Sequence, residues 1–126
     1  MILKIVRWPL GQLILLVDLL TRPRRPQRDP VQQAAVDEAV RGYAVYQFRT
    51  CPFCVKTRRA MRRLGLDIEL RDAQHDPLAR GELLEHGGKV QVPCLRIPGS
   101  DGDRWLYESD DIIAHLQERV RAAEAA

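Results

Sequence analysis

The sequence predicts a single α/β domain that carries a helical extension at its N-terminus. The chain has 126 residues, 45% of them hydrophobic and 29% charged, which suits one globular domain rather than a disordered or wholly membrane-embedded chain. From residue 43 onward, strand-type and helix-type patterns follow each other in the order β-α-β-α-β-β-α. A Cys-x-x-Cys pair, Cys51 and Cys54, stands where the first strand runs into a helix.

Residues 1–20 form an apolar segment that is interrupted by Lys4, Arg7 and Asp18. Its charge-free run, residues 8–17, is only about 15 Å long as a helix, against a hydrocarbon core of about 30 Å. It would span a bilayer only if the flanking charges snorkel. No small-residue cleavage site follows, so a removable signal peptide is not expected. The helix places four apolar residues on one face, a pattern typical of a helix in a membrane interface or docked on a protein: Leu10, Leu13, Ile14 and Val17.

Residues 21–42 are predicted to form a basic, proline-rich linker and a short helix. Three prolines and four arginines fall within residues 21–30, which favours a stiff, extended chain. Asp29 as N-cap and Pro30 at the first helical position open the helix, and Gly42 stands at its far end. The linker is either a solvated connector or a polybasic segment on anionic lipid. We expect the second, because an apolar stretch stands directly before it.

The strands and helices of the main domain, residues 43–126, are predicted from period, caps and turn residues. Strands are expected at residues 43–48, 67–70, 90–97 and 104–107. One helix runs from Pro52 to about Leu64 with Gly65 as its stop, the next from Pro77 to about Glu85 before Gly87 and Gly88, and the last begins at Ser109. The last helix should bury Ile112, Ile113, Leu116 and Val120.

The distribution of charge and cysteine excludes several classes of protein. Seven of the 20 basic residues but only four of the 17 acidic ones precede Gly42, so the net charge of +3 belongs to the N-terminal third. The rest is neutral, which argues against nucleic-acid binding. If residues 1–20 cross a membrane, the positive charge after them keeps the domain in the cytoplasm. We therefore expect a cytoplasmic protein that contacts the membrane, if at all, through residues 1–28.

Three cysteines and three histidines without ligand spacing predict neither a disulfide framework nor a metal site.

The Cys-x-x-Cys pair favours redox chemistry. At the start of a helix, Pro52 loses no hydrogen bond, and the free N–H groups of Phe53 and Cys54 point back towards the sulfur of Cys51. The helix dipole contributes only about 0.3–1 kcal/mol, so direct N–H···S bonds must supply most of the stabilisation of a thiolate. The sequence predicts Cys51 as the exposed nucleophile and Cys54 as the resolving thiol.

With these motifs the sequence resembles the glutaredoxins. The segment from Cys51 to Cys54 matches the family's Cys-Pro-aromatic-Cys signature, Val92-Pro93 its Val-Pro pair, and residues 108–111 the opening of its last helix. Residues 88–95 and 107–109 also resemble the N-terminal domain of glutathione transferases. The resemblance covers residues 43–122. It implies a thioredoxin-like fold, in which helices flank a four-stranded mixed sheet.

The resemblance also implies a glutathione site. Val92 would precede a cis peptide bond to Pro93 and pair through its backbone with glutathione beside Cys51. Ser109 and the helix N-terminus would take the γ-glutamyl carboxylate, and Asp110 the amino group. Many glutaredoxins have a lysine three residues before the first cysteine, where this chain has Phe48. The sequence offers Arg49 and Lys89 as substitutes. Cys94 is expected to be a small core residue.

The function implied by the resemblance is glutathione-dependent thiol–disulfide oxidoreduction, with glutathione as co-substrate and glutathionylated or disulfide-containing proteins as partners. One alternative is a membrane-associated module that binds glutathione or protein with little turnover. Another is a dimer that shares an iron–sulfur cluster with glutathione. Five cations on the helix after Cys54 are expected to form a solvated face: Lys56, Arg58, Arg59, Arg62 and Arg63.

Overall fold

Five helices and four strands form within residues 2–125, which the computed structural model describes, with side chains from residue 8 onward. The strands are β1 (Ala44–Gln47), β2 (Glu69–Asp72), β3 (Cys94–Ile97) and β4 (Arg104–Tyr107). The helices are α1 (Ile2–Leu20), α2 (Pro30–Ala39), α3 (Pro52–Leu64), α4 (Pro77–Gly87) and α5 (Ser109–Ala125).

The four strands make one mixed sheet in the order β2-β1-β3-β4. β1 pairs parallel to β2 and antiparallel to β3, and β3 pairs antiparallel to β4. The parallel pair is joined through α3, the kind of crossover that parallel neighbours require. This topology confirms the predicted thioredoxin-like fold. Because β1 is a central strand of the sheet, the junction between β1 and α3 lies at the end of a central strand and not at an outer one.

Each face of the sheet carries a hydrophobic cluster, because neighbouring residues of a strand point to opposite faces. Val45 of β1 and Leu95 of β3 face a cluster built with α2, α3 and α5, whereas Tyr46 and Cys94 face a cluster built with α4. All four residues of β1 are buried. The helix α3, which begins at the Cys-x-x-Cys pair, therefore stands on the side of the sheet that has the larger core.

The helix α2 contributes to that larger core. Val36 is fully buried and Val40 is 2% exposed, and Arg119 of α5 donates a hydrogen bond to the carbonyl of Ala39 at 2.8 Å. In the sequence, this helix is predicted as part of the segment 21–42, together with the linker. Its start agrees with the prediction, since Asp29 accepts a capping hydrogen bond from the Gln32 N–H at 2.8 Å and Pro30 begins the helix. Its end comes before the predicted Gly42, because the last helical residue is Ala39 and Val40 is the C-cap.

The linker before α2 lies against the domain at particular residues, although most of its side chains are exposed. The Arg28 side chain is 6% exposed and donates a hydrogen bond to the carbonyl of Leu64 at 2.6 Å. Arg62 of α3 donates to the carbonyl of Pro23 at 2.7 Å. Among the described residues, no helix has both the length and the hydropathy that crossing a membrane demands.

The prediction of a solvated basic face on α3 is wrong for three of its five cations. Lys56 and Arg63 are exposed, but Arg58, Arg59 and Arg62 are half-buried. The reason is that these three arginines donate hydrogen bonds to segments outside α3. Charge spacing within a helix does not show which other segment will cover it.

Three smaller predictions also change. β2 begins at Glu69, two residues later than expected, and β3 begins at Cys94 rather than at Val90, because Pro93 has no N–H to donate to a ladder. Ile113 is half-buried and not part of the core. It is one helical position beyond Ile112, about 100° around the helix, and lines a groove between α3 and α5.

Candidate active site

Cys51 and Cys54 lie at the junction between β1 and α3 with very different exposure. Cys51 is the N-cap residue of α3, and Pro52 begins the helix. The Cys51 side chain is half-buried, whereas that of Cys54, one turn further on, is fully buried. The Cys51 N–H donates to the Phe48 carbonyl at 3.3 Å. The site thus offers one accessible thiol above a second, enclosed one.

The chemistry of Cys54 follows from its burial. Burial raises the pKa of the Cys54 thiol to about 12, and a hydrogen bond with the neighbouring Cys51 thiol adds to the rise, although a hydrogen bond with the Phe48 backbone opposes it. Cys54 is therefore protonated at neutral pH. Since a thiolate and not a thiol attacks disulfides, Cys54 is poorly suited to a first attack, and Cys51 is the more accessible thiol of the pair.

The N–H···S bonds expected at Cys51 are not formed. Its side chain makes no capping hydrogen bond to the first turn of α3, so the Phe53 and Cys54 N–H groups do not bind its sulfur. The Cys51 sulfur lies near the Cys54 thiol, whose pKa it helps to raise. In this structure, the first turn of α3 does not supply the N–H donors that were expected for the Cys51 sulfur.

Arg58 holds the loop that leads into the site. It follows Cys54 by one turn of α3, and its guanidinium donates to the Gln47 Oε1 at 2.6 Å and to the Arg49 carbonyl at 2.8 Å. Gln47, the last residue of β1, is 9% exposed. Sequence reasoning treated Arg58 only as a surface cation. Its i+4 spacing from Cys54, which places both on one face of the helix, was the available signal.

The Val92-Pro93 peptide bond is cis, as the resemblance implied. Pro93 is buried and Val92 half-buried, and Val92 packs against the cluster on the α4 side of the sheet. Within residues 2–125, the Val92 N–H and C=O take part in none of the backbone hydrogen bonds of turns and loops.

The start of α5 is tied to the first turns of α3. Ser109, the first residue of α5, is 7% exposed. The carboxylate of Asp110 accepts a hydrogen bond from the ammonium of Lys56 on α3. Glu108, directly before the helix, has φ +73°, a left-handed conformation that is uncommon for a residue other than glycine. Strained backbone of this kind clusters at functional sites.

The two candidate substitutes for the missing lysine lie in different settings. Arg49 is exposed, two residues before Cys51. The ammonium of Lys89 lies 4.6 Å from the centre of the Tyr107 ring, within the range of a cation–π contact. Phe48, at the position of the family's lysine, packs against the α4 side of the core.

Cys94 follows Pro93 in β3 and is fully buried. Burial raises the pKa of the Cys94 thiol to about 11, although a hydrogen bond with the Tyr107 hydroxyl opposes the rise. This setting agrees with the expected core role. Within the described part of the chain, no three His, Cys, Asp or Glu side chains cluster as a metal site would require.

Comparisons with known proteins agree with this geometry. The family model Glutaredoxin matches residues 44–101, which span the Cys-x-x-Cys pair and the cis-proline. These residues are thus similar to the glutaredoxin family. A glutaredoxin of Pseudomonas aeruginosa is 27% identical over 81 residues, which cover 64% of this chain and 89% of that protein. The crystal structure of a wheat glutaredoxin matches with a TM-score of 0.50 at 24% identity, covering 79% of this chain and 95% of that one.

The similarity to glutaredoxins implies thiol–disulfide oxidoreductase activity in general, with glutathione as the usual reductant of the family. The match ends at residue 101 and begins at residue 44. Neither α1 nor the linker nor α2 falls within it. Those elements, and Asp18 of α1 in particular, are contacts of α3 that the family pattern did not point to.

Proposed function

We propose that this glutaredoxin-like protein is a glutathione-dependent oxidoreductase that reduces glutathione mixed disulfides and protein disulfides through Cys51 and Cys54. The observation that carries the proposal is the inequality of the two thiols. Cys51 is accessible at the start of α3, whereas Cys54 is fully buried and its pKa is raised to about 12. Cys51 can reach a substrate, and the buried Cys54 can act afterwards as the resolving thiol.

The reaction with a mixed disulfide needs Cys51 alone. Its thiolate attacks the glutathione sulfur of the substrate, which forms the Cys51–glutathione disulfide and releases the substrate thiolate, which takes up a proton. A thiolate of free glutathione then attacks the glutathione sulfur on Cys51. Oxidised glutathione leaves, and the Cys51 thiolate is restored. The substrate mixed disulfide and one free glutathione thus become the substrate thiol and oxidised glutathione, so one disulfide is exchanged for another.

A protein disulfide brings in Cys54. Cys51 attacks one sulfur of the substrate and forms a mixed disulfide, and Cys54 then gives up its proton and attacks the Cys51 sulfur. The substrate leaves as a dithiol, and the Cys51–Cys54 disulfide is reduced by two molecules of glutathione. The contact between the two thiols supports this step. Attack by Cys54 must be coupled to loss of its proton, because its raised pKa keeps it protonated at neutral pH.

Glutathione would bind along the edge formed by the cis-proline and the start of α5. Val92 would offer its backbone groups, and Ser109 with the α5 N-terminus would take a carboxylate. Asp110 would have to share its carboxylate between the glutathione amino group and Lys56. The left-handed Glu108 supports this placement, since it turns the chain sharply at the predicted binding residues.

The test is turnover of a glutathione mixed disulfide of a small thiol, with glutathione as reductant. We expect Cys51→Ser to lose activity by about 100-fold or more. Cys54→Ser should retain activity on the mixed disulfide but lose it on a protein disulfide. Cys94→Ser is the control and should keep both. Full activity in Cys51→Ser would refute the proposal, and glutathione binding without turnover in the wild type would favour a binding module.

A further inference from the structure

From residue 8 onward, α1 is docked on the domain with Asp18 inward and most of its apolar side chains outward. From residue 8 onward, Gly11 and Asp18 are its buried residues. At 100° per residue, its exposed positions cover about half of the helix circumference. They define the outer face of α1, on which Gln12 is the only polar residue: Trp8, Pro9, Leu10, Gln12, Leu13, Leu16, Val17, Leu19 and Leu20.

The size of this face requires a partner. Its large apolar side chains are between 50% and 75% exposed, from Val17 to Leu20. They are contiguous along the helix, not scattered singly over the surface as exposed apolar residues usually are. A contiguous apolar patch next to charged residues marks a site of contact with a membrane or another protein.

The contacts of α1 fix the outward orientation. Asp18 is 7% exposed, and its carboxylate lies 3.2 Å from the Arg59 guanidinium of α3 and 3.6 Å from that of Arg22. Arg59 also donates to the Thr21 hydroxyl and carbonyl, both at 2.9 Å. A rotation that buried the apolar residues would carry Asp18 into solvent and leave Arg59 without its partner.

A close packing contact at Gly11 supports the same orientation. A β-carbon added there would lie 3.2 Å from the Cγ2 atom of Thr50, so the helix is seated on the loop that leads to Cys51. A glycine at this point lets the helix approach closely. The ion pair at one end and the glycine contact at the other hold α1 against the rim of the active site.

The charge beside the outer face favours lipid as the partner. Arg22, Arg24 and Arg25 follow Leu20 within five residues, and no acidic residue occurs between Leu19 and Arg28. Arg22 pairs with Asp18 at 3.6 Å and Arg25 with Asp67 at 3.2 Å, but all three arginines remain exposed. A helix with an apolar face and adjoining cations suits the interface of an anionic bilayer, where apolar side chains enter the acyl boundary and arginines meet phosphates. A second copy of the chain would carry the same positive charge to this surface, so charge complementarity disfavours self-association.

We propose that the outer face of α1 docks on an anionic phospholipid bilayer and thereby holds Cys51 at the membrane surface. Leu13 and Val17 of α1 line an apolar cavity of about 480 Å³ together with Pro52 and Val55 of α3. Pro52 directly follows Cys51. If the proposed function holds, the favoured substrates are mixed disulfides of thiols presented at the membrane surface.

Co-sedimentation with lipid vesicles tests the docking. Wild-type protein should bind phosphatidylglycerol vesicles about 100-fold more tightly than phosphatidylcholine vesicles at low salt, as expected for three arginines near the surface, and added salt should weaken the binding. A Leu16→Glu/Leu20→Glu variant should lose most of it. The matched control, Leu78→Glu/Leu84→Glu, makes the same change at side chains of α4 that are 68% and 56% exposed and should bind as the wild type does.

Three outcomes would overturn the docking proposal. One is failure of the wild type to bind either vesicle, and another is equal binding by the Leu16→Glu/Leu20→Glu variant. The third is a wild-type dimer in sedimentation equilibrium that this variant loses while vesicles bind neither protein, which would assign the face to a second copy. Equal urea unfolding of wild type and variants ensures that the comparison concerns folded proteins.

A second arm tests the position of Cys51. On a free glutathione mixed disulfide, wild type and Leu16→Glu/Leu20→Glu should turn over at the same rate. On a mixed disulfide anchored to phosphatidylglycerol vesicles, the wild type should be about tenfold faster or more, as local concentration predicts. Equal rates there would overturn the placement of Cys51. Absence of turnover with the free substrate would instead refute the proposed function and leave the vesicle result standing.

Discussion

Arg58 connects the end of β1, the loop before Cys51 and the helix that carries Cys54. Its hydrogen bonds to Gln47 and to the Arg49 carbonyl satisfy polar groups at a junction where the strand ladder has ended and the helix has not begun. Its charge also lowers the pKa of Cys54, although burial outweighs this effect. A single arginine thus positions the loop from which Cys51 projects.

We predict that Arg58→Ala lowers the free energy of unfolding by about 1–3 kcal/mol, since it removes charged hydrogen bonds to partly buried acceptors. It should also slow turnover of a mixed disulfide, because the loop before Cys51 loses its tether. Urea denaturation and the activity assay measure the two effects. Arg63→Ala, which removes an exposed cation from the same helix, should change stability by no more than about 0.5 kcal/mol. Equal effects of the two substitutions would contradict the positioning role.

At the scale of elements, the sequence predicted where the helices begin and end better than it predicted which segments pack against them. Caps and stops are local, so Asp29, Pro52 and Gly65 could be assigned from neighbouring residues alone. Which segment covers a helix is a property of the folded chain. The arginines of α3 therefore look like a solvated face in the sequence, whereas α1 in fact contacts Arg59 and the linker contacts Arg62.

Gly65 shows both kinds of constraint at once. It ends α3 with φ +71°, where glycine is favoured. A β-carbon there would also lie 2.6 Å from Arg28 Nη1 and 2.9 Å from Pro26 Cγ. The residue that ends α3 is thus also the residue against which the linker packs.

We predict that Gly65→Ala costs about 1–3 kcal/mol of stability, from the left-handed backbone and from displacement of the linker. Gly81→Ala should do the opposite. Gly81 lies inside α4 with nothing within 4 Å of an added β-carbon, so alanine should stabilise the protein by about 0.5–1 kcal/mol. Both values come from urea denaturation. Equal losses of stability at Gly81 and Gly65 would contradict this explanation, because Gly81 has neither the left-handed backbone nor the linker contact.

For the molecule as a whole, the structural unit is larger than the matched glutaredoxin domain. The family model begins at residue 44, but the core on the α3 side of the sheet includes Val36 and Val40 of α2. A domain boundary drawn at residue 43 would remove both side chains from that core. The two N-terminal helices therefore differ in how they join the fold: α2 contributes side chains to the core, whereas α1 packs on the surface.

We predict that Val36→Ala, at a fully buried side chain of α2, destabilises the protein by about 1–3 kcal/mol through lost burial and the cavity left behind. Val31→Ala makes the same change on the same helix at a side chain that is 82% exposed and should stay within about 0.5 kcal/mol. If urea denaturation gave equal values for both, α2 would not belong to the cooperative core.

The sequence by itself determined the order of elements and the pair of cysteines at the start of α3, because periodicity, caps and short motifs depend on near neighbours. Its resemblance to the glutaredoxins implied the thioredoxin-like fold. The tertiary structure decided the bonds of Cys51, the role of Arg58 and the outward orientation of α1. Asp18 meets Arg59 from 41 positions away, and no local pattern encodes that pairing. An acidic residue in an apolar helix interrupts a hydrophobic run in the sequence, but once the chain is folded it is the side chain that determines which face remains exposed.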